Sequence, residues 1–176
     1  LADQRNYTWN VLACDSIGNC AFSASNFTFT IDAAAPSVSS SAPVQGYNSS
    51  NATIDFTFTA SDGVAIRNAT LFLNNAVNQS AAVALNATPQ VFTVFGLPQG
   101  AYSWKVQTCD WSGNCLNTSA LDLNIDSIGP SAALANPVDA LNATAVSVLS
   151  ATIADNFALR NATLYIVNSS GVWQAN

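Results

Sequence analysis

Four cysteines carry the most definite chemistry in the sequence. Cys14 and Cys20 bracket Asp-Ser-Ile-Gly-Asn, and Cys109 and Cys115 bracket Asp-Trp-Ser-Gly-Asn. The identical spacing predicts one disulfide in each stretch, Cys14–Cys20 and Cys109–Cys115, closing a hairpin across its turn. Gly18 with Asn19, and Gly113 with Asn114, supply the permissive backbone such a turn needs. A loop this short gains roughly 2–2.5 kcal/mol from its bridge in the chain-entropy model. Zinc is the weaker reading, because its ligands usually come in closer pairs with two more ligands, and the chain has no His. A catalytic thiol would lack a base. Oxidised cysteines imply an extracellular compartment.

Asparagine offers a second chemistry. The glycan-acceptor pattern Asn-x-Ser/Thr occurs at Asn6, Asn26, Asn48, Asn51, Asn68, Asn78, Asn86, Asn117, Asn142, Asn161 and Asn168. The chain's Asn, Ser and Thr content would give about four such motifs by chance. On a strand, positions i and i+2 share a face, so Asn and its Ser or Thr point outward while x points in. Here x is apolar in seven motifs, Tyr7, Phe27, Ala69 and Ala162 among them. A low-charge sandwich whose polar face is Asn, Ser and Thr would produce the same pattern without sugar. Asn86 is the poorest acceptor, since Pro89 follows its Thr88. Phe72 and Tyr165 face outward by the same alternation, against sugar, a neighbouring subunit or solvent.

Composition excludes several partners. Only 8% of the 176 residues are charged, against roughly 25% in ordinary globular chains. The ten acids are all Asp, four bases leave a net charge of −6, and His and Met are absent. So few cations give no attraction to phosphate or anionic lipid, which argues against nucleic acid and membrane surfaces. The longest uncharged apolar stretch, 140–154, is short and interrupted by Asn142, Thr144, Ser147, Ser150 and Thr152, so direct membrane insertion is not expected. At 49% hydrophobic the chain can bury a core. Glycan or neighbouring subunits must then keep its surface soluble.

Self-similarity organises the elements that hold these residues. YTWNVLACDSIGNC, from Tyr7 to Cys20, returns as YSWKVQTCDWSGNC, from Tyr102 to Cys115, shifted by 95 residues. Asp32 and Pro36 return as Asp126 and Pro130, shifted by 94, and Asp62 with Arg67-Asn-Ala-Thr70 returns as Asp155 with Arg160-Asn-Ala-Thr163, shifted by 93. Residues 36–126 therefore form one complete unit. Residues 1–32 match only the end of a unit and 130–176 only its beginning. The expectation is a window on a longer polypeptide, with completion of the halves by neighbouring chains as the variant. Within the unit the apolar period is two. Ile54, Phe56, Phe58 and Ala60 alternate with polar residues, as do Tyr102, Trp104 and Val106, and Leu121, Leu123 and Ile125. An all-β fold follows, of about seven antiparallel strands per ~94-residue unit in a two-sheet sandwich.

The run Y-x-W-x-V-x-x-C-D-x-x-G-N, the D-x-x-x-P linker and the A-S-D-G-V-A segment together resemble immunoglobulin-like tandem repeats of prokaryotic cell-surface and extracellular fibre proteins. The resemblance spans nearly the whole chain in three pieces, with the paired cysteines as an addition to the usual pattern. It implies that Tyr7 and Tyr102 are the tyrosine near the start of the penultimate strand. It also implies that Asp62 and Asp110 lie in loops at one end of the sandwich, where Asp32 enters through the linker. Three carboxylates there could bind calcium, the one cofactor the sequence entertains. Otherwise each Asp caps its own turn, or Asp62 pairs with Arg67 and Asp155 with Arg160.

The function expected is structural: a repeat of a glycosylated extracellular surface fibre, filament or stalk, stiffened by one disulfide per unit. Its partners would be copies of itself or adjacent repeats of the same chain, with strand completion as a variant. The alternatives are an adhesin or carbohydrate-binding module, for which Trp111 is the sole loop aromatic, and an accessory repeat of a larger secreted enzyme. No catalytic residue is assigned. Without His or Glu, acid–base work would rest on Asp alone, and no phosphate loop or nucleophile elbow is present.

Overall fold

Alternation of apolar and polar side chains becomes strand throughout the computed structural model, which describes residues 1–82, 86–138, 144–145, 148–168 and 171–175. Asn142 lies outside these, and Asn168 is described by its backbone alone. None of the described residues is helical. The chain divides into two compact units, Leu1–Ile125 and Asp126–Asn176.

The first unit opens with β1 (Arg5–Trp9), β2 (Leu12–Cys14), β3 (Cys20–Phe22) and β4 (Phe27–Ile31). The complete repeat follows as β5 (Ser37–Ala42), β6 (Tyr47–Ser49), β7 (Ile54–Ser61), β8 (Ile66–Leu73), β9 (Ala76–Ala82), β10 (Pro89–Val94), β11 (Gly100–Asp110), β12 (Cys115–Asn117) and β13 (Leu121–Ile125). Seven are substantial strands, and β6 and β12 are three-residue additions. One sheet has the order β10-β7-β5 and the other β6-β13-β11-β8-β9, with β12 paired to β11. This is an immunoglobulin-like sandwich. All pairings in it are antiparallel except β13 with β6.

That parallel pairing arises because the chain leaves β5 and switches sheets over residues 43–46. Gly46 turns at φ +73°, a conformation L side chains resist. Gln45 then fixes the crossing, its amide donating to Asp122 Oδ2 and accepting from the Asp122 N–H, each at 2.9 Å.

The core is what the alternation specified. Ile54, Phe56, Phe58 and Ala60 point inward from β7 against Trp104, Val106, Leu123 and Ile125 from the other sheet. Phe56 meets Trp104 edge-on at 5.0 Å, and Phe58 stacks on Phe92 at 5.4 Å. Such pairs add about 0.5–1.5 kcal/mol beyond their area burial. The Tyr102 hydroxyl donates to the Pro98 carbonyl at 2.7 Å, pinning the start of β11 to the preceding loop.

The opening segment copies part of this sandwich. β1 pairs with β4 antiparallel so that Trp9 faces Phe27, as Trp104 faces Leu121 between β11 and β13. Tyr7 bonds the Ala2 carbonyl at 3.1 Å, repeating the Tyr102 contact. The second unit contains β14 (Ser131–Asn136), β15 (Ser150–Ala154), β16 (Leu164–Asn168) and β17 (Gly171–Ala175) in two antiparallel pairs. By the repeat these correspond to β5, β7, β8 and β9.

Candidate functional site

Three chain segments meet at one end of the complete sandwich, each delivering an aspartate. Asp62 follows β7, where its Oδ1 accepts from the Val64 and Ala65 N–H groups at 2.8 and 3.0 Å, capping its own turn. The Asn86 side chain holds the Asp62 backbone from the other side, accepting from its N–H at 2.9 Å and donating to its carbonyl at 2.8 Å. Asp110 ends β11, and its two oxygens accept from the backbone N–H and side-chain amide of Asn114 at 2.9 and 2.8 Å. Asp32 arrives just past β4. Its carbonyl accepts from Asn114 at 3.2 Å, and its Oδ1 takes a 3.3 Å bond from the Ala34 N–H. One carboxylate oxygen from each of Asp32, Asp62 and Asp110 lies within 4.8 Å of the others.

The electrostatics of this cluster are one-sided. Burial pushes the Asp32 carboxyl above its ordinary value; the Ala34 N–H opposes that, and the charges of Asp62, Asp110 and Asp3 add to it. Burial also pushes Asp110 upward, but the bonds from Asn114, Gly113 and Ser112 outweigh it, so Asp110 sits below the usual range. Asp32 Oδ2 is buried and has no hydrogen-bond partner. Neither of the ion pairs considered from the sequence, Asp62 with Arg67 or Asp155 with Arg160, forms among the described residues. The turn-capping alternative does hold for Asp62.

Parts of the arrangement recur. Asp15 accepts from the Asn19 N–H and side chain at 2.9 and 2.7 Å, the same turn as Asp110 and Asn114 but exposed. Those bonds hold its carboxyl below the ordinary range. In the second unit Asp155 caps Phe157 and Ala158 at 2.9 and 3.1 Å, while Asp126 accepts from Asn156 at 3.3 Å. Asp155 Oδ2 is likewise buried without a partner.

Both disulfides are present, Cys14–Cys20 and Cys109–Cys115, with Cα separations of 4.1 and 4.2 Å. Each joins residues directly opposite one another across its hairpin. Among the acceptor motifs, Asn6, Asn26, Asn48, Asn51, Asn78, Asn86, Asn117 and Asn161 are exposed, and Asn68 is half-buried on β8. At Asn6, Asn26, Asn48 and Asn51 the side-chain oxygen accepts a hydrogen bond, leaving Nδ2, the atom a glycan would occupy, undirected. Asn86 is different, because its Nδ2 is committed to Asp62. Asn51 and Asn86 also sit in turns, so strand alternation does not explain every motif. Phe72 is half-covered by Lys105, whose ammonium lies 5.5 Å from the ring centre, while Tyr165 is exposed. Trp111 stands out from its turn 71% exposed.

The sequence missed Asn86 and Asn114 as the residues that place these aspartates. Asn114 had a signal, since Asp-x-x-Gly-Asn occurs twice. Asn86 had none beyond its glycan motif, because the partner it holds is 24 residues away.

No family model matches the chain, and no curated protein does. Among solved structures, it is similar to the fibronectin(III)-like modules of Clostridium thermocellum CbhA, at 17% identity over 53% of this chain and 99% of that one, TM-score 0.46. A lytic polysaccharide monooxygenase from Jonesia denitrificans shares 14% identity over 48% of this chain and 58% of that one, TM-score 0.37. The PKD domain of an M14-like peptidase from Thermoplasmatales archaeon SCGC AB-540-F20 shares 17% over 52% and 92%, TM-score 0.35. Likenesses at these scores carry no argument, and the fold rests on the strand order itself.

Proposed function

We propose that this chain is a run of immunoglobulin-like repeats from an extracellular stalk or filament, in which each sandwich is stiffened by a disulfide and clad in N-linked sugar. One observation carries the reading: residues that form the core of the complete repeat stand exposed at the equivalent places in the end pieces. Trp9 is 50% exposed where Trp104 is 1%, and Leu164 is 39% exposed where Leu71 is buried outright. Val11 and Phe29, like Leu149 and Ile166, repeat the contrast with Val106, Leu123, Phe56 and Leu73. The two ends carry different parts of the sandwich: the first offers the counterparts of β11, β12 and β13, the last those of β5, β7, β8 and β9, and neither holds a counterpart of β10. Such faces are the inner surfaces of sandwiches, and a repeat array covers them with the other half of the same unit.

Two short disulfides favour an oxidising compartment outside the cytosol. The exposed Asn motifs supply the solubility that four cations do not. The test is the intact mass of native material before and after enzymatic or chemical deglycosylation. A mass many repeats long after sugar loss supports halves joined within one polypeptide. A mass that falls to about 18.3 kDa on sugar loss, in material that sediments as an oligomer, supports completion between copies. An unglycosylated 18.3 kDa monomer sinks the proposal.

A further inference from the structure

In the complete repeat β11 is held by three neighbours. Residues 100–104 pair with β13 and 107–109 with β12, while 105 and 106 are paired as strand with β8 alone. The opening segment carries the counterparts of β11, β12 and β13 but none of β8. There the same strand breaks at Asn10 and Val11, the counterparts of Lys105 and Val106. β8 in turn runs from Ile66, whereas its counterpart β16 begins only at Leu164 and residues 159–163 lie in no strand. Each segment loses strand structure where the other would bond to it. From these matched gaps we infer that residues 5–31 of one copy dock on β16 of a second copy, in the register of β11 on β8. The inference rests on the reading of the exposed faces as sandwich interiors, and adds the occupant and its register.

The complete repeat fixes the contacts. Trp104 pairs with Leu73, Lys105 with Phe72 and Val106 with Leu71, so Trp9 would meet Ile166, Asn10 Tyr165 and Val11 Leu164. A groove of about 1320 Å³, lined in part by Leu149, Ile153, Leu164 and Ile166, lies where Trp104, Val106, Leu123 and Ile125 fill the complete sandwich. The counterparts of those four are Trp9, Val11, Phe29 and Ile31, and the first three stand exposed, ready to enter it. No charge would be buried by this inward set. Docking also brings Asp15 towards Asp126 and Asp155, as Asp110 lies by Asp32 and Asp62, a like-charge contact the complete sandwich tolerates. Neither copy supplies a counterpart of β10, which leaves one edge of β15 open, and the broken strands must order on binding. Both effects weaken the contact, to a Kd of about 10⁻⁶–10⁻⁵ M. Because each copy offers one donor face and one acceptor face, the contact is heterologous and builds open strings rather than closed dimers.

The full chain is sedimented over a range of concentrations, and register is read by cross-linking. Chains at about 0.1 µM should be single, and at about 100 µM they should sediment as strings whose mass grows with concentration. An Asn10→Cys chain mixed with a Tyr165→Cys chain should form a disulfide between the two new cysteines on mild oxidation, identified by peptide mass spectrometry. Directly paired strand residues fall within disulfide reach. Asn10→Cys with Val167→Cys, on the same face but two residues out of register, should bond at least about tenfold less. Val11→Asp places a charge where Val106 is 0% exposed, and should weaken association at least about a hundredfold. Since Val11 is 55% exposed in the single chain, the melt of the complete sandwich should not move. Equal bonding of the two cysteine pairs overturns the inference, as does a Val11→Asp chain that still associates. So do chains that stay single at every concentration; protection of the same faces in native assemblies would then leave the filament reading standing, with the faces covered within one polypeptide.

Discussion

Removing the Cys109–Cys115 bridge by Cys109→Ala with Cys115→Ala is the sharpest perturbation of the complete sandwich. The bridged residues are six apart in sequence, so the chain-entropy term is about 2–2.5 kcal/mol. The hairpin does not lose its other restraints: Gln107 still pairs with Asn117 and Thr108 with Leu116, and Asp110 still holds Asn114. The cost is therefore that of a freer unfolded chain rather than a collapsed site. For a domain of this size about 4–8 °C is lost per kcal/mol, giving a fall of about 8–20 °C in calorimetric melting. Cys14→Ala with Cys20→Ala deletes a bridge of the same length from a segment whose core face is open. In the isolated chain it should move the sandwich melt by less than about 2 °C. In assembled native material, where that segment is covered, it should cost as much as the first pair. Equal falls for both pairs in the isolated chain, or none for Cys109–Cys115, would refute this reasoning.

Other expectations follow from individual contacts. Tyr102→Phe loses only the bond to Pro98 and should cost about 0.5–1.5 kcal/mol in denaturant unfolding. Asn86→Ala strands the Asp62 N–H and carbonyl and should cost about 1–3 kcal/mol, and glycopeptide mapping should find Asn86 bare while exposed motifs such as Asn6 and Asn48 carry sugar. The pH dependence has two opposed parts. Asp32, raised above 3.8, binds its proton more tightly folded than unfolded, so stability grows as pH falls through its folded pKa. Asp110 and Asp15, lowered below 3.8, contribute stability that is full above 3.8 and lost as pH falls through their folded values. The melting temperature should accordingly peak in mild acid, and Asp32→Asn should remove the rise on its neutral side.

Local patterns proved legible and distant contacts did not. The inward set on β7 and that of Trp104 and Val106 on β11 followed from a period of two, because a half-buried strand must alternate. The repeated cysteine spacing pointed to both bridges, since a tight hairpin sets residues six apart face to face. The switch of β6 into the second sheet was not foreseen, because it depends on Gln45 meeting Asp122, 77 residues on. For the same reason the sequence could place Asp32, Asp62 and Asp110 at one end but could not show what orients them. That work falls to Asn86 and Asn114, across gaps of 24 and 82 residues. The acceptor motifs were read as a strand pattern, and those in turns obey different geometry.

The central claim is that the exposed core faces of the end pieces are covered in the working material. Hydrogen exchange measured on native assemblies and on the isolated chain tests it directly. In assemblies, amides of Arg5–Trp9, Phe27–Ile31 and Leu164–Asn168 should be protected as strongly as those of Gly100–Asp110 and Ile66–Leu73. In the isolated chain they should exchange orders of magnitude faster. Fast exchange of the end pieces in both preparations would contradict the claim.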